Sequence, residues 1–109
     1  MTDQLRKDIE NEIKNNKVVI YMKGTVEAPM CGFSGRAVQI LQSYGVPVKG
    51  HNVLASEELR QGIKELTSWP TIPQIFINGE FIGGADIVAE MHENGELAQL
   101  LKVGTDTTF

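Results

Sequence analysis

The fold is decided by one stretch of the sequence, Lys17-Val18-Val19-Ile20-Tyr21-Met22-Lys23. Five consecutive apolar residues, three of them β-branched, stand between two lysines. A strand has this continuous apolar composition when other elements cover both of its faces, because neither face meets water. The stretch therefore predicts the central strand of a sheet that carries helices on both sides.

Helical patterns flank this strand. Before it, apolar residues recur at helical spacing from Leu5 to Ile13, behind either Thr2 or Asp3 as a cap. After the strand and a loop, a second helical pattern begins at Cys31 and stops at a glycine. A helix between two strands predicts a right-handed crossover, which makes those strands parallel.

The second half of the chain predicts the remaining elements. Residues 46–53 are interrupted by proline and glycine and are typical of an edge strand, and residues 56–68 form a capped amphipathic helix. Asn78-Gly79 predicts a tight hairpin, after which Asp86 is positioned to cap a last helix. The order α-β-α-β-α-β-β-α predicts an α/β fold with a mixed four-stranded sheet and helices on both faces.

Length and charge limit the classes of protein that this chain can be. With 109 residues and 12.0 kDa it predicts one domain, with a core from about residue 3 to 102 and a flexible tail over 103–109. A net charge of -4 argues against a nucleic-acid partner. The chain lacks a long apolar run and a secretory leader, which favours no membrane association and a cytoplasmic location.

Cys31 is the one cysteine, so the chain can form no internal disulfide. Any cysteine chemistry needs a second sulfur from another protein, a second copy of the chain or a small thiol. At the start of a helix, beside Gly32 and the polar Ser34, the sulfur is expected to be accessible and its thiolate favoured, and Lys23 would add positive charge. The alternative is a buried, inert cysteine.

Three further segments are candidates for a binding site, each with a plainer alternative. Two prolines within residues 69–74 preset an extended backbone, and the Ile72-Pro73 bond is a candidate for cis geometry. The Gly83–Asp86 turn can hold an anion or can simply turn the chain. Arg60 can bind a carboxylate or lie in solvent. The two histidines lack the spacing of zinc ligands.

Taken together, four segments resemble the single-domain monothiol glutaredoxins of the Cys-Gly-Phe-Ser type. The segments are Met22-Lys23-Gly24-Thr25, Cys31-Gly32-Phe33-Ser34, Trp69-Pro70-Thr71-Ile72-Pro73-Gln74 and Gly83-Gly84-Ala85-Asp86. The resemblance implies a thioredoxin-like fold. It also implies that the missing sulfur is supplied by glutathione.

The resemblance implies roles for individual residues. Cys31 would be the thiolate and the ligand of a [2Fe–2S] cluster. The residues implied to bind glutathione are Lys23, Cys31, Arg60, Thr71, Ile72, Pro73, Gly84, Ala85 and Asp86. Two positions depart from related patterns: Ser34 stands where dithiol relatives carry a second cysteine, and Ala85 stands where many members carry another.

Two functions follow from the resemblance, and a structural domain with an inert cysteine is the third alternative. In the first, a cluster bridges a homodimer of otherwise monomeric chains and passes to iron–sulfur acceptor proteins, with a BolA-type protein as a further partner. In the second, the chain is a glutathione-dependent oxidoreductase that reduces glutathionylated proteins. The carrier is favoured, in the cytoplasm or, if a targeting peptide was removed, in an organelle.

Overall fold

The computed structural model describes residues 1–101, so the predicted flexible tail lies outside the described residues. The helices are α1 (Asp3–Asn15), α2 (Gly32–Gln42), α3 (Glu57–Thr67), α4 (Ala85–Glu93) and α5 (Glu96–Leu101). The strands are β1 (Val18–Met22), β2 (Lys49–Asn52), β3 (Gln74–Ile77) and β4 (Glu80–Gly83), and a 3₁₀ turn covers Val53–Ala55. Within the described residues, no helix has the length and apolar character to span a membrane.

The four strands form one mixed sheet in the order β2-β1-β3-β4. Strand β1 pairs in parallel with β2, where Ile20 lies opposite Gly50, and antiparallel with β3, where Ile20 lies opposite Ile75. All five residues of β1 are buried. The predicted central strand, the crossover and the hairpin are confirmed.

Helices cover both faces of the sheet, as the order of elements predicts. Because successive side chains of a strand point to opposite faces, Val18, Ile20 and Met22 join a core cluster with α2, α4 and α5. Val19 and Tyr21 join a second cluster with α1 and α3. The central strand thus contributes to both cores.

Local chemistry decides where several elements begin. The hydroxyl of Thr2 accepts a hydrogen bond from the Leu5 N–H at 3.1 Å, so Thr2 caps α1, and Ser56 caps α3 in the same way. The prediction that Asp86 caps the last helix is wrong. The N-cap of α4 lies two residues earlier, at Gly84, which offers no side-chain oxygen, so α4 begins at Ala85 and Asp86 lies in its first turn.

The predicted edge strand is shorter than residues 46–53. Strand β2 covers Lys49–Asn52, and Val53 opens the 3₁₀ turn. The Asn52 side chain accepts a hydrogen bond from the Leu54 N–H at 2.9 Å, which turns the backbone away from the sheet after four residues. The strand ends beside the C-terminal end of β1, at the edge where the loop to α2 begins.

Candidate functional site

One groove at the edge of the sheet contains all nine residues predicted for the site. Its volume is about 680 Å³. The predicted residues that line it are Lys23, Cys31, Arg60, Thr71, Ile72, Pro73, Gly84, Ala85 and Asp86. Phe33, Lys64, Trp69, Pro70 and Ile87, which the sequence analysis does not assign to the site, complete the lining.

Cys31 is the N-cap of α2 and is half-exposed. The backbone N–H of Ser34 lowers the pKa of the Cys31 thiol, against partial desolvation, which raises it. The Phe33 N–H, the positive charge of Lys23 and the Ser34 hydroxyl lower the pKa further. A free helix N-terminus and a nearby ammonium together favour the thiolate.

Ser34 does not provide the open approach to Cys31 that its polarity suggests. It is completely buried, and its hydroxyl accepts a hydrogen bond from the Lys23 backbone N–H at 3.2 Å. This bond ties the end of β1 to the first turn of α2. The neighbours of the sulfur on the other side are open to solvent, since Gly32 is exposed and Phe33 is 65% exposed.

Positive charge dominates the polar lining of the groove. Its charged lining residues are the cations Lys23, Arg60 and Lys64 and a single carboxylate, that of Asp86. The guanidinium of Arg60 also contacts Glu57, with 3.2 Å between Nη1 and Oε2. Lys64 could have been found from the sequence, since it follows Arg60 by one helical turn and shares its face. An anionic ligand suits this lining.

The segment between α3 and β3 forms one wall of the groove, and the Ile72-Pro73 peptide bond is cis, as its sequence suggests. Buried Gln74 holds this segment from behind. Its amide nitrogen donates to the carbonyl oxygens of Trp69 at 2.9 Å and Thr71 at 3.2 Å, and its oxygen accepts from the Thr67 hydroxyl at 2.8 Å. One side chain therefore fixes the path of the wall.

Replacing Gln74 with leucine is expected to lower the free energy of unfolding by about 2 kcal/mol, because buried polar groups lose their partners. The folded variant should also bind a ligand in the groove more weakly, because the segment between α3 and β3 is no longer held in place. Chemical denaturation measures the first effect. An exposed glutamine of α1, replaced in Gln4→Leu, is the matched control, and equal stability of the two variants would contradict the role of Gln74.

The turn into α4 adjoins the wall between α3 and β3 and also lines the groove. A Cβ at Gly84 would lie 3.3 Å from the carbonyl oxygen of Pro73 and 3.5 Å from Nε1 of Trp69, so a side chain here would crowd the groove. The Trp69 Nε1–H is buried and has no hydrogen-bond partner within residues 1–101. The first N–H groups of α4 have no partner within the helix, so this turn offers backbone donors to a ligand.

The groove brings one thiol and one carboxylate together, those of Cys31 and Asp86. Within residues 1–101, no three His, Cys, Asp or Glu side chains are grouped closely enough to hold a metal ion. Cys31 offers one sulfur to a groove that is open to solvent. The site is suited to a small anionic ligand next to a reactive thiol.

Comparisons with known proteins identify the family. The glutaredoxin family model matches residues 18–82. The mitochondrial monothiol glutaredoxin S15 of Arabidopsis thaliana is 54% identical over 93% of this chain, which spans only 60% of that relative's length. A monothiol glutaredoxin of Synechocystis is 50% identical over 94% of this chain and 96% of its own.

The fold comparison gives the same result. The solution structure of reduced apo GrxS14 from poplar matches with a TM-score of 0.81 and 47% identity, over 90% of each chain. The thioredoxin-like fold that the resemblance implies is thus confirmed. The family match, the relatives and the single thiol at the groove agree, and this chain belongs to the monothiol glutaredoxins of the glutaredoxin family.

Proposed function

We propose that the groove binds glutathione with its sulfur next to Cys31. Lys23 and Arg60 would hold the glycyl carboxylate, the backbone of Ile72 would pair with the cysteinyl part before Pro73, and the turn into α4 would hold the γ-glutamyl end. Thr71 would complete the wall. The cationic lining of Lys23, Arg60 and Lys64 supports a ligand that is rich in anionic oxygens.

We further propose that the chain carries a [2Fe–2S] cluster as cargo. Such a cluster takes four sulfur ligands, and one chain offers only Cys31. Two chains and two glutathione molecules supply four, so loading would join two monomers into a dimer. This isolated sulfur beside a ligand groove is the observation that supports the carrier most directly. Because two ligands exchange with solution, the cluster can pass to acceptor proteins, or to a mixed complex with a BolA-type protein.

The lowered pKa of the Cys31 thiol favours a second candidate, a glutathione-dependent oxidoreductase. The Cys31 thiolate would attack the glutathione sulfur of a glutathionylated protein, and the protein thiolate would leave. A second glutathione thiolate would then attack the Cys31 mixed disulfide, giving glutathione disulfide and the free Cys31 thiolate. Ser34 cannot resolve the mixed disulfide, so every turnover needs the second glutathione.

The compartment stays a prediction. The sequence favours the cytoplasm, with an organelle as the alternative, and the name of the Arabidopsis relative places that protein in mitochondria. The organellar alternative is compatible with that relative.

Anaerobic reconstitution with iron, sulfide and glutathione tests the carrier. We expect a coloured dimer on a sizing column, formed only when glutathione is present. Colour without glutathione would contradict shared ligation. A colourless monomer that turns over a glutathionylated substrate would favour the oxidoreductase instead.

The Lys23→Ala variant is expected to bind glutathione about tenfold more weakly, because a hydrogen-bonded ion pair with the carboxylate contributes about 1.4 kcal/mol or more. Calorimetric titration of the apo chain measures the affinity. Lys7→Ala removes the same charge from the exposed face of α1 and serves as the control. Equal affinities for the two variants would remove Lys23 from the binding site.

A further inference from the structure

Asn52 joins the edge strand to the loop that leads to Cys31. It is the last residue of β2 and lies opposite Met22, the last residue of β1. Its Oδ1 accepts two backbone hydrogen bonds, one from the Leu54 N–H and one from the Gly24 N–H, each 2.9 Å long. A carbonyl oxygen has two lone pairs, so both are used.

Gly24 begins the loop of residues 24–30, which is closed by its own hydrogen bonds. Thr25 and Ala28 exchange backbone bonds of 3.2 and 3.1 Å, and the Met30 N–H donates to the Lys23 carbonyl at 2.9 Å. The two ends of the loop therefore lie side by side. A displacement of Gly24 would move the loop as a unit, together with its neighbours Lys23 and Cys31.

A second contact with β2 holds the same loop. A Cβ at Gly50 would come within 2.6 Å of Cγ2 of Val26, so the loop lies directly on this glycine. Val26 in turn packs against the core cluster on the α2 side of the sheet. Residues 50 and 52 thus hold the loop at two points, and neither residue lines the groove.

We propose that Asn52 is a positioning residue of the groove, which sets where the Lys23 ammonium stands relative to the Cys31 sulfur by holding Gly24. Its side-chain oxygen bonds to the backbone of Gly24 and Leu54 and to neither of these side chains. The inference rests on the proposed function in one respect, namely that the anion which Lys23 attracts in the working protein is a glutathione carboxylate. Without the Asn52 oxygen, the Gly24 N–H would turn to water, and the loop would leave the sheet edge.

Two alkylating probes test this placement without glutathione. Iodoacetate and iodoacetamide both form a bond from the Cys31 thiolate to carbon and release iodide, but only iodoacetate is attracted by the Lys23 charge. The measured quantity is the rate with iodoacetate divided by the rate with iodoacetamide. This ratio does not depend on the fraction of thiolate, because that fraction multiplies both rates. We expect Asn52→Ala to lower this ratio about twofold at low salt, and the loss to disappear in high salt.

The double variant shows whether Asn52 acts through Lys23. Lys23→Ala alone should lower the ratio at least as much as Asn52→Ala, and Asn52→Ala should change nothing further in the Lys23→Ala background. Independent, additive effects would overturn the inference. So would an unchanged ratio in a folded Asn52→Ala chain, or unchanged hydrogen exchange at the Gly24 amide.

Gly50 provides a second route if Asn52→Ala fails to fold. Gly50→Ala pushes the loop away while Asn52 remains, and it should lower the ratio as well. Adding Val26→Ala removes the crowding methyl group and should restore the ratio. An unchanged ratio in Gly50→Ala, or a ratio that Val26→Ala does not restore, would overturn the inference. A wild-type chain that does not bind glutathione would overturn only the proposed function.

Discussion

Replacing Cys31 with serine is expected to abolish the visible-light absorption of the reconstituted chain and to leave it a monomer. The reason is stoichiometric. With one thiol in each chain, loss of Cys31 leaves only glutathione sulfur for the cluster, and a serine hydroxyl is a poor ligand for iron at neutral pH. Reconstitution of the wild type and the variant side by side, with absorption spectra and a sizing column, measures the effect. We expect the variant to lose both the visible absorption and the dimer completely.

A displaced thiol distinguishes the position of Cys31 from its mere presence. Ser43 is exposed at the C-terminal end of the same helix. The double variant Cys31→Ser/Ser43→Cys therefore keeps one thiol per chain but moves it away from the groove. We expect it to stay colourless and monomeric. A glutathione-dependent coloured dimer in either variant would contradict the assignment of Cys31 as the protein's ligand.

The fold was predictable because its strongest signals are local. A short, continuous run of β-branched apolar residues favours a strand that is covered on both faces, and β1 buries Val18 in one core cluster and Val19 in the other. Positive backbone angles at Asn78 and Gly79 are a requirement of the hairpin turn, and the structure has them. Helix caps were less predictable, because Gly84 and Asp86 can both begin α4 and the choice depends on packing at the turn.

The site was predictable as a set of residues but not as an arrangement. Cys31, Arg60 and Asp86 are far apart in the chain, and only the resemblance to known glutaredoxins grouped them. The bond from the Lys23 N–H to the buried Ser34 hydroxyl and the bond from the Gly24 N–H to the Asn52 side chain depend on distances between elements. Sequence patterns report residue types and spacing along the chain, and these contacts join residues that no pattern connects.

Gly24→Ala is expected to lower the free energy of unfolding by about 3 kcal/mol or more. Gly24 has a φ of +91°, which costs an L-residue about 1–2 kcal/mol. A Cβ here would also lie 2.6 Å from the Ala28 carbonyl oxygen and 2.6 Å from the Met30 backbone nitrogen. Both are backbone atoms and cannot rotate away, so the loop would have to open, which adds about 1–3 kcal/mol. Chemical denaturation of the wild type and of the Gly24→Ala variant measures the difference in the free energy of unfolding.

Two other glycines separate backbone strain from steric overlap. Gly45 and Gly79 have φ values of +73° and +84°, and a Cβ at either would meet nothing within 4 Å. Gly45→Ala and Gly79→Ala should therefore cost only about 1–2 kcal/mol, the strain alone. If Gly24→Ala lowers the free energy of unfolding no more than these controls do, the loop opens at little cost in free energy. The placement of Lys23 and Cys31 would then depend less on the closed loop than its hydrogen bonds indicate. A larger loss, together with slower alkylation of Cys31, would tie the stability of this loop directly to the reactivity of the thiol.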